Sequence, residues 1–259
     1  MATIRSLNRA IFNPALYQSI RDLWFGSLPW GAKYANEEAT QRWFLAPKDE
    51  KLKFDDLCRQ KLGSAVLSLS PAQFPIAGLT ETDVATPFIA EIDAADHGGE
   101  ESAKTAVSLM ILLDQIPRNL YRTNETLQLV YRHYDPIALS VAKRILAKTD
   151  GPTNRVDLHP SIRNSLACRM WILMPLMHSE DLADHVTHEA VVDEIKKENM
   201  DNEEMVKALE YLQHYEKLHA DIIKKFGRFP HRNESLGRVS TEEEKKWLEE
   251  GGTRFGVGE

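Results

Sequence analysis

An all-α fold is predicted by three features of the 259-residue chain. Helix start and stop signals recur along its length, apolar residues between them fall three and four apart, and alternating strand patterns are almost absent. Counting those signals predicts about nine to ten helices. Joined mostly by short links, they are expected to stack as antiparallel pairs in a solenoid-like superhelix, within a single helical domain covering residues 1–259. No self-similarity at about 34 residues is visible, so any repeat is expected in structure rather than in sequence.

Taken in order, Asn13 before Pro14 predicts an N-cap followed by a first-turn proline, with Leu16, Ile20, Leu23 and Trp24 as the apolar stripe and Gly26 as the left-handed stop. A second helix is expected from Asn36, with Glu37 and Glu38 in its first turn, ending before Pro47. A third follows Asp49 and aligns Leu52, Leu62, Val66 and Leu69. Residues 71–99 hold Pro71, Pro75, Gly78 and Pro87 and predict mostly irregular chain with one short helix over 86–95. A strongly apolar helix over 100–115 is expected to stop at Pro117. The next pair, 124–133 and 135–148, is broken at Asp135-Pro136 and closed by Gly151-Pro152. In the pair 160–177 and 180–197, Pro175 kinks or ends the first member. Ser179 caps the second, with Glu180 and Asp181 in its first turn. The longest helix covers 202–226 and ends at Gly227. Ser240-Thr241-Glu242-Glu243 reads as the capping box of the last, which ends at Gly251-Gly252.

Composition narrows the function classes. Net charge is −7 and the basic residues form no block, which argues against nucleic acid and anionic membrane as partners. No apolar run approaches the roughly 18 residues of a membrane span. Residues 1–14 carry Arg5, Asn8, Arg9 and Asn13 and do not read as a secretory signal. Cys58 and Cys168 alone form neither a disulfide framework nor a thiolate zinc site, so a reducing, cytoplasmic setting is expected. The chain has no P-loop, GxGxxG, HExxH or GxSxG. No cofactor is therefore named, and the oligomeric state stays open.

Four segments place polar residues against the helical pattern. In Leu113-Asp114-Gln115-Ile116-Pro117-Arg118-Asn119, an apolar helix runs into Asp114 near its expected C-terminus, where a carboxylate opposes the helix dipole and needs a cation or a proton. In Met177-His178-Ser179-Glu180-Asp181, His178 emerges from an apolar run at a helix end. His219 lies on the face shared with Ile222 and Ile223, where a histidine is usually a satisfied core group. In Phe226-Gly227-Arg228-Phe229-Pro230-His231-Arg232-Asn233, two arginines flank His231 and favour its neutral form. Guanidinium groups also suit planar carboxylates and phosphates. The structural alternative is that Arg228 and Arg232 simply pair with Asp114 or Glu180. His185 and His188 share a helix face at i,i+3, a spacing that fits metal binding but more often marks solvated histidines.

These segments resemble the domain-of-unknown-function 924 family, helical proteins with a tetratricopeptide-like fold. The likeness extends through Asp22-Leu23-Trp24-Phe25-Gly26, Arg42-Trp43-Phe44, Phe54-Asp55, Asp135 with Ala138, and Leu236-Gly237-Arg238. His185 departs from the glutamine expected after His178-Ser179-Glu180-Asp181, and residues 71–99 are expected to be longer than in shorter relatives. The resemblance implies the fold and supplies no reaction. From the residues themselves, an enzyme acting on a small anionic ligand is expected. His178 or His231 would serve as acid or base, with Asp114 or Glu180 orienting it. Arg118, Arg228 and Arg232, with Gln115, Asn119 and Asn233 beside them, would bind the substrate. The alternatives are a binding module without catalysis, by analogy of fold, and a metal-assisted hydrolase or oxygenase using His178, Glu180, His219 and His231.

Overall fold

The computed structural model describes residues 6–147 and 155–255, and among these there are helices and turns but no strand. The all-α expectation holds, with eleven helical runs where nine or ten were expected. Expected caps are met where a cap residue adjoins a strong apolar pattern. Asn13 accepts from the backbone of Ala15 and Leu16 at the head of α1 (Pro14–Phe25). Asn36 caps α2 (Glu37–Thr40). Asn202 caps α11 (Glu203–Phe226), which stops at left-handed Gly227. A side chain on Gly26, at φ +57, would meet the Arg42 guanidinium at 2.7 Å. Arg42 and the Trp43 indole both donate to the Trp24 carbonyl, so the two aromatic motifs near the N-terminus form one joint.

Several boundaries differ from expectation. Residues 81–96 form a full helix, α4 (Glu81–Asp96), because Thr80 and Asp83 make a capping box and Pro87 is tolerated inside it. The second helix of the 160–197 pair is capped two positions later than expected. Asp181, not Ser179, accepts from Ala183 at the head of α10 (Leu182–Glu198), while Ser179 donates to Asp184. The last box is Thr241 with Glu244, heading α13 (Glu242–Glu249), which follows the four-residue α12 (Asn233–Leu236). Pro175 lies within α9 (Leu166–Met177) without ending it. Gly151-Pro152, expected to close α8, lies outside the described residues.

Two prolines expected to break helices do not. α5 (Glu100–Met110) passes through a π turn at Ile111–Gln115 into α6 (Ile116–Leu120). α7 (Asn124–Leu129) likewise passes through a π turn at Val130–Tyr134 into α8 (Asp135–Leu146). Pro117 and Pro136 each stand two residues past the end of the turn, just after the residue that closes it. There Ile116 and Asp135 bond back five residues, to the carbonyls of Ile111 and Val130. A π turn widens the helix where a proline ring would otherwise strike the carbonyl four residues earlier, so the run continues.

Packing sets α4 against α5 and α8, α3 (Lys48–Ser68) against α6, and α9 between α8 and α10. α10 and α11 run antiparallel, since His185 reaches Glu216, Asp193 reaches Gln213 and Lys196 reaches Glu210. Asp55 on α3 accepts from both Asn119 and Arg122, which ties α3 to the end of α6. The main core is continuous from Leu7 to Leu212, and a small second cluster gathers Ile222, Ile223 and Phe229 near the chain's end. No helix among the described residues is long and apolar enough to cross a membrane.

Candidate active site

The two π turns bring carboxylates toward one arginine. Asp114 sits inside the first and Asp135 directly follows the second. Arg118, one turn beyond Asp114, donates to Asp135 at 2.8 Å and reaches Asp114 at 3.4 Å. π turns recur at functional sites because they aim a side chain that regular helix would turn away. From α9, whose last residue is Met177, His178 presents Nδ1–H to Asp114 at 2.8 Å, and Gln115 donates to the other carboxylate oxygen at 2.5 Å. Asp114 is 1% exposed whereas the His178 side chain is 17% exposed. Burial works to raise the Asp114 carboxyl. The charges of His178 and Arg118, with their hydrogen bonds and that of Gln115, outweigh it and hold the group at about 2. The carboxylate thus fixes the tautomer of His178 and leaves Nε2 without a partner among the described residues.

Arg232 completes the group from the short 3₁₀ turn Pro230–Arg232. Its guanidinium stacks 4.6 Å from the Tyr131 ring and 4.4 Å from the Phe229 ring. It stands 3.8 Å from Asp135, too far for a hydrogen bond. Four buried polar atoms here lack hydrogen-bond partners: Arg118 Nε, Arg232 Nε, His231 Nδ1 and Asp135 Oδ2. Each such atom is unfavourable by about 1–3 kcal/mol. All four lie in the group that surrounds Arg118 and Arg232.

Two further histidines of the group, His219 and His231, are pushed toward the neutral form. Burial pushes His219 down to about 2, with the His178 and Arg232 charges adding to it, although its Nδ1–H donates to the Tyr215 carbonyl at 2.8 Å. Burial also pushes His231 down to about 3, and the positive charges of Arg232, Arg254, Arg118 and Arg238 add to the effect. The rings of His178 and His219 lie 6.2 Å apart, and Phe229 lies 5.8 Å from His219 and 5.5 Å from His231.

Asp114, Gln115, Arg118, His178, His231 and Arg232 therefore converge, and three other candidates stand apart. Asn119 donates to Asp55. Arg228 makes two bonds to Glu244, and Asn233 donates to Glu244 and Ser240. Glu180 borders the group as a framework member. It accepts from the Phe229 backbone at 2.8 Å and from both terminal nitrogens of Arg238. Burial would raise its carboxyl, but those bonds and the Arg232 charge hold it below the usual range. The structural pairing expected of Arg228 and Arg232 with Asp114 or Glu180 is not what forms, because Glu244, Asp135 and Arg238 supply the partners. Asp135, Tyr131 and Phe255 were not singled out by chemistry in the sequence. Asp135 entered only through the Asp135-Pro136 junction and, with Ala138, the family resemblance, and nothing in the sequence pointed to Tyr131 or Phe255. Among the described residues no group of three or more His, Cys, Asp or Glu is placed to hold a metal ion.

His185 and His188, expected to be solvated, are sealed: 2% and 0% exposed. They flank Glu216, itself 0% exposed, on the inner face between α10 and α11. His185 donates to Glu216 at 2.5 Å and to the Ser179 carbonyl at 3.0 Å. Burial would lower its pKa, yet these bonds and the Glu216 charge raise it. Burial pushes His188, which makes no hydrogen bond and stands 3.7 Å from Glu216, down to about 4.

These features define an all-helical protein with a histidine–aspartate pair beside two stacked or paired arginines. The chain belongs to the family described as bacterial protein of unknown function (DUF924), whose profile matches residues 20–252. It is similar in structure to a protein of unknown function from Agrobacterium tumefaciens, at 27% identity and a TM-score of 0.52, covering 91% of this chain and 98% of that one. No curated protein matches it.

Proposed function

We propose that the chain is an enzyme acting on a small molecule that bears a carboxylate or phosphate, with His178 as its acid–base group and Arg118 and Arg232 as the anion clamp. The observation that carries this reading is the oriented, partly exposed His178 on buried Asp114, next to two arginines whose Nε–H groups lack acceptors. A carboxylate partner on Nδ1 steadies the imidazolium that forms when Nε2 takes a proton. Arginine donors answer the anionic oxygens of the ligand. Asp135 Oδ2 also lacks a partner, so the ligand presents a hydroxyl or amine beside its acid group. His231 and His219, being neutral, line the site without repelling cationic neighbours. Glu180 shapes it through Arg238 and the Phe229 backbone.

Isothermal titration with lactate and with inorganic phosphate tests the clamp. Saturable binding is expected, weakened roughly ten-fold or more in Arg232→Met and in Arg118→Met, with melting temperature followed in parallel. His178→Ala should leave binding within a few-fold while removing turnover of any substrate so found. Equal affinity in the wild type and both arginine variants would sink the clamp.

A further inference from the structure

Phe255 lies in the segment after α13, and its ring stacks on the His219 imidazole with centroids 3.6 Å apart and planes 13° from parallel. The same ring lies edge-on to Phe229 at 6.2 Å and 5.7 Å from His231. His219 is next to His178, and Phe229 carries the Arg232 guanidinium. The ring of Phe255 thus occupies a flat-walled slot bordering both the acid–base histidine and the clamp.

Ordinary core packing does not account for it well. Phe255 packs against the small cluster of Ile222, Ile223 and Phe229, apart from the main core, and is itself only half-buried. Its backbone has φ +51, in the left-handed region that a bulky side chain rarely adopts. Such strain persists only where surrounding contacts hold it, and here the contacts are rings at the site. The His219 face that Phe255 covers belongs to a neutral imidazole, so the contact is a stack between two flat uncharged rings.

We infer that the slot between His219, Phe229 and His231 receives a planar ring of the ligand, and that Phe255 fills it as an internal stand-in until that ligand displaces it. The ligand class is then an aromatic or heteroaromatic acid with a hydroxyl or amine near its acid group, an assignment that rests on the arginine clamp holding that acid. A ring gains from parallel stacking what a saturated group of equal size does not. Removing Phe255 removes a competitor whose local concentration is fixed, so affinity for a ring-bearing ligand should rise.

Mandelate, hexahydromandelate and lactate share one hydroxy-acid head and differ in carrying an aromatic ring, a saturated ring or a methyl group. Titrated into the full chain, mandelate should bind about three- to ten-fold tighter than hexahydromandelate, and lactate weakest. Phe255→Ala should tighten mandelate about three-fold or more while leaving lactate within two-fold. Phe255→Leu, which keeps apolar bulk, gives the same direction if the alanine variant folds poorly. In the wild type, saturating mandelate should speed hydrogen exchange of the 253–255 amides. If lactate binds but the aromatic ring adds nothing, or exchange and affinity ignore Phe255, the slot is packing and the ring assignment falls alone. If none of the three acids binds any form, the anion reading falls and takes the slot with it.

Discussion

Two histidine–carboxylate pairs lie on either side of the Ser179 turn, and they differ in access: one is open at its imidazole and the other is sealed. In the Asp114–His178 pair the carboxylate is buried and the imidazole reaches solvent, with one ring nitrogen bonded and the other free. In the Glu216–His185 pair both members are sealed, and both nitrogens of His185 are engaged, one by Glu216 and one by the Ser179 carbonyl. The residue types are nearly identical. Access and one uncommitted nitrogen suit the first to the proton-transfer role proposed for it, whereas the second holds the turn that carries His178.

Breaking the sealed pair should have the largest effect. Glu216→Leu leaves His185 buried without its counter-charge, an arrangement that typically loses about 3–5 kcal/mol. That corresponds to a fall in melting temperature of roughly 10 °C for a chain of this size. Adding His185→Leu should recover much of it, since an apolar pair replaces an unpaired charge. A single variant that melts with the wild type would show the pair is not structural.

Acid comes next, and it sharpens the comparison because both sides contribute. His188 on the sealed side is held at about 4, and His219 and His231 on the open side at about 2 and 3, all below their ordinary value. The unfolded chain takes up protons from about pH 6.5 downward, while the folded chain resists until those lower values. The stability contributed by these three is therefore full above about pH 7 and falls as pH drops, by a few kcal/mol at pH 5, while His185, whose pKa is raised, works in the opposite sense. Denaturant titrations across that range should show it, and His231→Gln should make the slope shallower by about one proton. An unchanged slope would mean His231 is not buried neutral.

Asp114→Asn should lose about 1–3 kcal/mol, because the amide keeps some bonds but leaves Arg118 and His178 poorly matched. His178→Ala, at the exposed end of the open pair, should change stability least, by about 1 kcal/mol or less. Equal losses from His178→Ala and His185→Ala would erase the distinction between the pairs.

Much of the fold was legible because local chemistry decided it. Asn13 with Pro14, Asn36, and Asn202 with Gly227 each act through their own backbone neighbours, so pattern and outcome agree. Prolines were misleading, since Pro87 sits in a helix held from Thr80 and Pro117 and Pro136 follow widened turns. Nothing local to a proline announces a π turn. At the site, Asp114, Arg118, His178, His231 and Arg232 were visible as polar residues interrupting apolar runs. Asn119, Arg228 and Asn233 share those motifs, but distant Asp55 and Glu244 bind them, and such partners cannot be read from spacing. His185 and His188 looked like surface residues on a weakly amphipathic helix. Only the arrival of α11 with Glu216 shows that their face is covered. Phe255 escaped attention because an aromatic past a double glycine has no motif of its own.

The π turn at Ile111–Gln115 is equivalent to one surplus residue threaded into an otherwise regular helix. Deleting Leu112 would relax the turn to α geometry, keeping the helix on either side in register while re-aiming the residues inside the turn, Asp114 among them. Asp114 would then swing out of line with His178. The alignment of the pair is set by chain length at this one place as much as by side-chain identity, so a shortening that keeps every polar residue would still separate carboxylate from imidazole.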